Sequence, residues 1–421
     1  MPDQAHPGPG RVRLADRVVS LSAVRDRPAE YARAFAAAKA EAGHAACLCR
    51  TPPLRLVIRC TRAGRYHLAG WPGEGDLHAD GCAFHKLHPP VSGRTGYTRE
   101  AIQDTDHGPA LRIQPALTRQ LAEPHRAAPD RVAPPTHGRS SVSLLGLLHW
   151  LWEQAQLACW DPRWRHRGWG LCHARLRDQA DGCAVNGQDL AQLLYVVPPY
   201  RPASAEIAAR VFQAFLARLG QRHGAVQRGL VLGEVKDVAA TPYGVRYRLS
   251  HLRDGLFASQ ALHQRASRSY RPAFPNTEKA GTRRIALFVI ELSPRGYLQV
   301  IDLAAMLCSQ LYIPADSGFE AHMANQLAAA GRAFIKPLRY DAAEAVLPDF
   351  LLTDVTPWHV VEVYGIRGQE AYERRKRAKQ ALYRQRSVPL LEWDVDGPMP
   401  ELGRPADARG SAHPHSPRQV R

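Results

Sequence analysis

The sequence predicts a multidomain α+β protein with an N-terminal hairpin module rich in Cys and His, a helical and mixed middle, and an α/β core in its last hundred residues. Three observations carry that reading. The chain has 421 residues, 45% of them hydrophobic, which suits two or three packed units rather than a disordered chain. Between residues 47 and 82, Cys and His residues flank a stretch that reads as a hairpin. From residue 318 onward the pattern runs helix, strand, strand, helix, strand, with acids on the two central strands.

Charge sets the class of partner. Fifty-six Lys and Arg against 39 Asp and Glu give a formal net charge of +17. Each basic side chain placed near a phosphate releases a bound counterion, so such a surplus favours nucleic acid, although charge alone does not name the partner. An anionic membrane surface and an unused bias towards Arg are the weaker alternatives. No apolar run is long enough to span a bilayer, and residues 1–13 lack the apolar segment of an export signal. The expectation is a soluble, cytoplasmic protein with no membrane partner, whose eight cysteines are reduced.

Along the chain, residues 1–46 form an N-terminal segment whose Ala-rich part, 32–46, predicts a helix. The Cys/His module covers 47–88. Prolines recur over 89–140, which reads as linker apart from a short strand near 110–113. Residues 141–220 read as helical. Ser140, Ser141 and Ser143 are N-cap candidates ahead of Leu144, Leu147, Leu148 and Leu151 at helical spacing. Further helices are predicted at 171–179, 189–195 and 205–219. Short helices in series allow a helix-turn-helix, although an ordinary packing unit is the plainer reading. Residues 221–315 are mixed, with strands at 230–235 and 245–249 and a hairpin from 285–292 to 297–303. The core covers 316–396, and the Pro-, Arg- and His-rich tail 397–421 is expected to be disordered.

Within the core, a helix from Gly318 carries Glu320, Met323, Leu327 and Ala330 and stops at Gly331. The strand 346–352 holds Pro348-Asp349, and the strand 360–364 holds Glu362. Two carboxylates on adjacent strands repel, and each is costly to desolvate. A divalent cation resolves the conflict. Mg²⁺ needs few carboxylates, stabilises charge on phosphoryl oxygens and lowers the pKa of water. These residues resemble the PD-(D/E)XK phosphodiesterases, the restriction-endonuclease-like nucleases. The resemblance implies a restriction-endonuclease-like α/β core in which Asp349 and Glu362 hold Mg²⁺ or Mn²⁺ and Glu320 assists from its helix.

One departure stands out. That family places a Lys two residues after the second acid, where this chain has Tyr364. The following helix offers Lys376 and Lys379, which share a face with Tyr372 and Arg375. Either lysine can replace the missing one; failing that, the core binds DNA without cutting it. Glu234-Val235-Lys236 contains the preferred Glu-x-Lys, but Asp189 is too distant to pair with it, so it reads as a solvated strand face. Between residues 366 and 386 the helix region carries Arg367, Arg374, Arg375, Lys376, Arg377, Lys379, Arg384 and Arg386 against Glu370 and Glu373, eight minus two or +6. Phosphate contact is the leading reading and a solvated face the alternative.

The N-terminal module places Cys47-x-Cys49 before hairpin strands at 54–60 and 66–69, and His78-x3-Cys82 after them. Two ligand pairs flanking a hairpin follow zinc-ribbon logic, in which four soft ligands close a tetrahedron around a structural Zn²⁺. Cys47, Cys49, His78 and Cys82 are therefore the zinc candidates of a zinc-ribbon-like module, with free thiols as the alternative. Cys60 and the scattered Cys159, Cys172, Cys183 and Cys308 read as core residues.

Several pieces together resemble a bacterial family, domain of unknown function 1173. They are the Cys/His pairs, Gly64-Arg65-Tyr66-His67-Leu68, Leu147-Leu148-His149-Trp150-Leu151-Trp152-Glu153, Ile313-Pro314 and Lys336-Pro337-Leu338-Arg339-Tyr340. Members of that family look like cargo of plasmids and conjugative elements. The expected function is metal-dependent DNA cleavage by a protein of a mobile element. The rival is a zinc-containing accessory protein that binds nucleic acid without cutting it.

Overall fold

The computed structural model describes residues 10–60, 64, 66–71, 74–79, 82, 84, 97–98, 101–105, 108–120, 140–162, 164, 167–222, 225–274, 281–293, 295–339, 347–355, 357–365 and 370–403. It is a mixed α+β structure in which successive small sheets are joined by helices.

An antiparallel five-stranded sheet opens the chain, in the order Arg17–Ser20, Arg11–Leu14, Ala45–Cys47, Leu54–Cys60, Tyr66–Gly70. Val12, Leu14, Leu56 and Ile58 alternate onto one face and pack with Phe35 and Ala38 of the helix Ala32–Glu41. That helix is shorter than predicted. Gly43 turns the chain at φ +73°, and the next apolar residues, Ala45 to Cys47, join the sheet instead. Cys60, predicted as core, is exposed at the end of its strand.

The predicted linker is more than a linker. Strands Ile102–Thr105, Gly108–Leu111 and Thr118–Gln120 lie within it, and Ala101, Leu111, Ile113 and Leu117 enter the main apolar core. Most of 85–100 and all of 121–139 lie outside the described residues.

Helix Leu144–Gln154 starts where predicted, with Ser143 Oγ accepting from the Gly146 amide at 3.0 Å. Helix Trp169–Ala180 packs beside it in the same core. The helix predicted at 189–195 is a single turn, Leu190–Leu193. The fully packed Leu194, Tyr195 and Val196 then run as a strand, because aromatic and β-branched side chains suit a buried sheet. The third helix of the predicted series is thus only one turn long, and Leu144–Gln154 and Trp169–Ala180 pack into the main core.

Five strands next close into a barrel: Gly229–Thr241, Gly244–Leu249, Leu256–Ala258, Thr282–Leu292 and Leu298–Ser309. The first pairs with the second and the fourth, the third pairs in parallel with the fifth, and the fourth and fifth form the long predicted hairpin. Helix Gln260–Ser269 connects the third strand to the fourth. Glu234, read as a solvated residue, is instead engaged. It accepts from Arg283 Nη1 and Tyr312 Oη, both at 2.9 Å, while Lys236 is exposed as expected.

The last sheet runs Leu390–Asp394, His359–Tyr364, Phe350–Leu352, Phe334–Ile335, Cys159–Trp160. Its far edge comes from the residues that follow the Leu144–Gln154 helix, so the middle of the chain completes this sheet. Helix Gly318–Ala329 covers one face through Met323, Ala324 and Leu327, which meet Val361 and Val363. Helix Glu370–Gln385 lies against the other face, where Tyr383 meets Leu351 and Val360. The predicted strand at 346–352 is only Phe350–Leu352, because Pro348 cannot donate to a ladder. No helix among the described residues is long and apolar enough to cross a membrane.

Candidate functional site

Phe350 pairs with Val361 in antiparallel register, and continuing the ladder by one residue sets Asp349 opposite Glu362. Period-two alternation turns Val361 and Val363 into the apolar core and leaves Glu362 on the side of the basic helix. Both carboxylates are buried, Glu362 at 1% exposure and Asp349 at 5%. Asp349 Oδ2 accepts from the Val363 amide at 2.8 Å, which stitches the two strands together.

Basic side chains hold this buried charge. Lys379 Nζ donates to both oxygens of Glu362, at 2.9 and 2.8 Å, and to the Leu347 carbonyl at 2.9 Å. Tyr383 Oη donates to Glu362 Oε1 at 2.7 Å. On the other side of Asp349, Lys336 Nζ donates to Glu320 Oε2 at 2.7 Å and to Asp316 Oδ2 at 3.1 Å. Arg339 reaches Asp316 Oδ2 at 3.3 Å and Asp349 Oδ1 at 3.7 Å. Four carboxylates thus face three bases. Lys336 and Lys379 are tightly held, whereas Arg339 is loosely held and two-fifths exposed.

Burial pushes the Glu320 carboxyl up to about 7; Lys336 opposes the shift, and the negative charges of Asp349 and Asp316 add to it. Burial also raises the Asp349 carboxyl, opposed by Lys336 and reinforced by Glu362. Glu320 and Glu362 therefore each interact with Asp349 from opposite sides. The three acids do not draw together as one cluster. Among the described residues, the only group of three or more Cys, His, Asp or Glu with ligand atoms within 4.8 Å is the one at the Cys/His module.

The two candidate lysines part company. Lys379 sits on Glu362, while Lys376 lies over the Tyr364 ring at 4.2 Å with its Nζ 3.6 Å from Asp394. Arg374, Arg377 and Arg384 are exposed on the outer side of the helix; the Arg375 side chain and residues 366–369 lie outside the described residues. Sequence reasoning missed Asp316, Lys336, Arg339 and Tyr383 as members of this site. The signal for Lys336 was a lysine inside the apolar run Phe334-Ile335-Lys336-Pro337-Leu338, since a lysine is rarely buried without an acidic partner.

At the N-terminal module the structure does bring Cys47, Cys49, His78 and Cys82 together, all four buried. Cys47 Sγ lies 3.5 Å from Cys82 Sγ, and His78 Nδ1 lies 3.3 Å from Cys49 Sγ and 3.5 Å from Cys82 Sγ. Zinc with sulfur arms of about 2.3 Å in a tetrahedron needs ligand atoms roughly 3.5–3.8 Å apart. Three soft thiols and one imidazole at this spacing could hold a metal such as zinc. The strand Ala45–Cys47 delivers the first pair, and the short 3₁₀ turn Gly75–Leu77 leads into His78.

No curated protein and no solved structure matches the chain. Residues 19–395, which include both the Cys/His cluster and the carboxylate network, match a family described as protein of unknown function, DUF1173. The chain therefore belongs to the DUF1173 family.

Proposed function

We propose that this chain is a metal-dependent phosphodiesterase acting on DNA, with a restriction-endonuclease-like core, carried by a mobile element. The observation that supports it most is the pairing of Asp349 and Glu362 across one ladder with Lys379 seated on Glu362. That arrangement supplies the two acids and the basic group that the sequence pattern lacked at Tyr364.

Asp349 and Glu362 would hold Mg²⁺ or Mn²⁺, with Glu320 beyond them. Such an ion supplies positive charge for the phosphoryl oxygens and acidifies water. Lys379 and Tyr383 fix the orientation of the Glu362 carboxylate. Arg339, loosely held and two-fifths exposed, would meet a phosphate. The exposed Arg374, Arg377 and Arg384 would track the backbone. The Cys/His cluster would carry a structural Zn²⁺ that staples the N-terminal sheet.

The test is cleavage of plasmid and linear DNA with Mg²⁺ or Mn²⁺. Asp349→Ala should abolish cutting while DNA binding stays intact or strengthens, because the removed carboxylate also repelled phosphate. One observation favours a second reading. Glu362 is already satisfied by Lys379 and Tyr383, which suits a site that binds without cutting. Wild-type protein that binds DNA but cuts no substrate form with either ion would establish that reading.

A further inference from the structure

Across the five-stranded barrel, the second and third strands carry an outward face that sets arginines beside an aromatic ring. Val245, Tyr247, Leu249, Leu256 and Ala258 point inward and are buried. Alternation therefore turns Arg246, Arg248 and Phe257 outward, and Arg246 lies directly beside Phe257 in the ladder. Gly255 permits this, since a Cβ there would press on the Arg246 side chain at 3.1 Å.

Aromatic residues flank that face. Tyr297, in the turn joining the fourth and fifth strands, meets Phe257 edge-on at 6.1 Å. Tyr243, in the turn joining the first and second strands, is 96% exposed. Gly244, at φ +146° with no room for a Cβ against the Ala258 carbonyl, pins that turn down on the third strand. Of the four exposed large aromatic side chains among the described residues, three are Tyr243, Phe257 and Tyr297. Leaving such rings in water is unfavourable, and concentrating them beside arginines on one patch marks a binding surface.

The connectivity points the same way. In this barrel the first strand pairs with the second and fourth, and the third pairs in parallel with the fifth. Small Greek-key barrels of five strands bind oligonucleotides on the face of strands two and three and on the loops after strands one and four. Those are the elements that here carry Arg246, Arg248, Phe257, Tyr243 and Tyr297. A duplex hides its base faces, whereas a single strand offers both stacking bases and phosphates.

We infer that the face formed by Tyr243, Arg246, Arg248, Phe257 and Tyr297 binds single-stranded nucleic acid, with bases stacking on the rings and phosphates meeting the two arginines. The site lies on the barrel, apart from the carboxylate network, and does not depend on cleavage.

The test is fluorescence anisotropy of a labelled 20-nucleotide oligo-dT with the full chain in buffer free of divalent ions. The triple variant Tyr243→Ala, Phe257→Ala, Tyr297→Ala should bind at least about tenfold more weakly, since stacking on one ring contributes on the order of 1–3 kcal/mol per base. Phe257→Trp should retain wild-type affinity, because it keeps a stacking surface. Arg246→Ala with Arg248→Ala should flatten the salt dependence. All these side chains lie on the barrel's outer face, and circular dichroism verifies that each variant folds. Unchanged oligo-dT affinity in the folded triple variant overturns the inference, as does a wild-type chain that does not bind oligo-dT. Neither result bears on duplex cleavage, which the Asp349→Ala assay reads separately.

Discussion

Lys379 clamps both carboxylate oxygens of Glu362, and Lys376, one turn earlier on the same helix, does not touch it. The contrast decides which lysine the buried charge depends on. Removing one partner of a buried pair leaves an uncompensated charge, at a cost of about 3 kcal/mol or more, whereas exposed pairs contribute about 0–1 kcal/mol. Lys379→Ala should therefore lower the urea midpoint of unfolding markedly. Lys376→Ala, whose partner Asp394 is nearly half exposed, should barely move it. Equal effects in the two variants would count against this division of roles.

Glu320 makes stability depend on pH. Its folded carboxyl titrates near 7, above its ordinary value, chiefly because burial disfavours the charged form. In the window between the ordinary carboxylate value and about 7, the folded state binds the extra proton. The contribution of Glu320 to stability should therefore fall as pH rises through that window and level off above it. Denaturation of wild type and Glu320→Gln at pH 5 and pH 8 measures this. The difference between variant and wild type should change between the two pH values in the direction of this contribution, while Asp349 and His173, whose carboxyl and imidazole are shifted up and down by burial, act in both chains; an identical pH dependence in both would remove Glu320 as a source.

The Cys/His cluster should hold about one zinc per chain in protein prepared without chelator. Elemental analysis reads the content directly. Cys82→Ser should reduce it and lower the melting temperature of the N-terminal sheet, because the cluster ties residues 47–49 to residues 78–82. Protein that contains no zinc, or a Cys82→Ser chain as zinc-rich as wild type, would rule the site out.

Replacing Arg374, Arg375 and Arg377 with Ala should weaken duplex binding uniformly across sequences. The log–log salt slope should flatten by roughly one unit for each phosphate that is no longer neutralised. Arg374 and Arg377 are exposed, so folding should be unaffected. Binding curves between 50 and 300 mM salt, about the range over which such interactions are read, decide it; an unchanged slope would count against this helix as the proposed phosphate contact.

The sequence by itself determined what depends on local periodicity and spacing. The hairpin at 54–60 and 66–69, the capped helix from Leu144, four of the five barrel strands and the helix from Gly318 follow from apolar alternation and capping residues, whereas the short third barrel strand, Leu256–Ala258, was not predicted. The grouping of Cys47, Cys49, His78 and Cys82 was legible too, because Cys-x-Cys and His-x3-Cys are short-range patterns on either side of one hairpin. Tertiary structure decided the rest. Closure of five strands into a barrel depends on pairings between strands far apart in sequence, such as Gly229 with Ile290. The partners of Glu320 and Glu362 also arrive from a distance: Lys336 from a separate strand end and Lys379 from a helix. Nothing in local spacing favours Lys379 over Lys376. The burial of Glu362 does, because a carboxylate removed from water must be met by a cation, and between the two lysines it is Lys379 whose helix position lies over it.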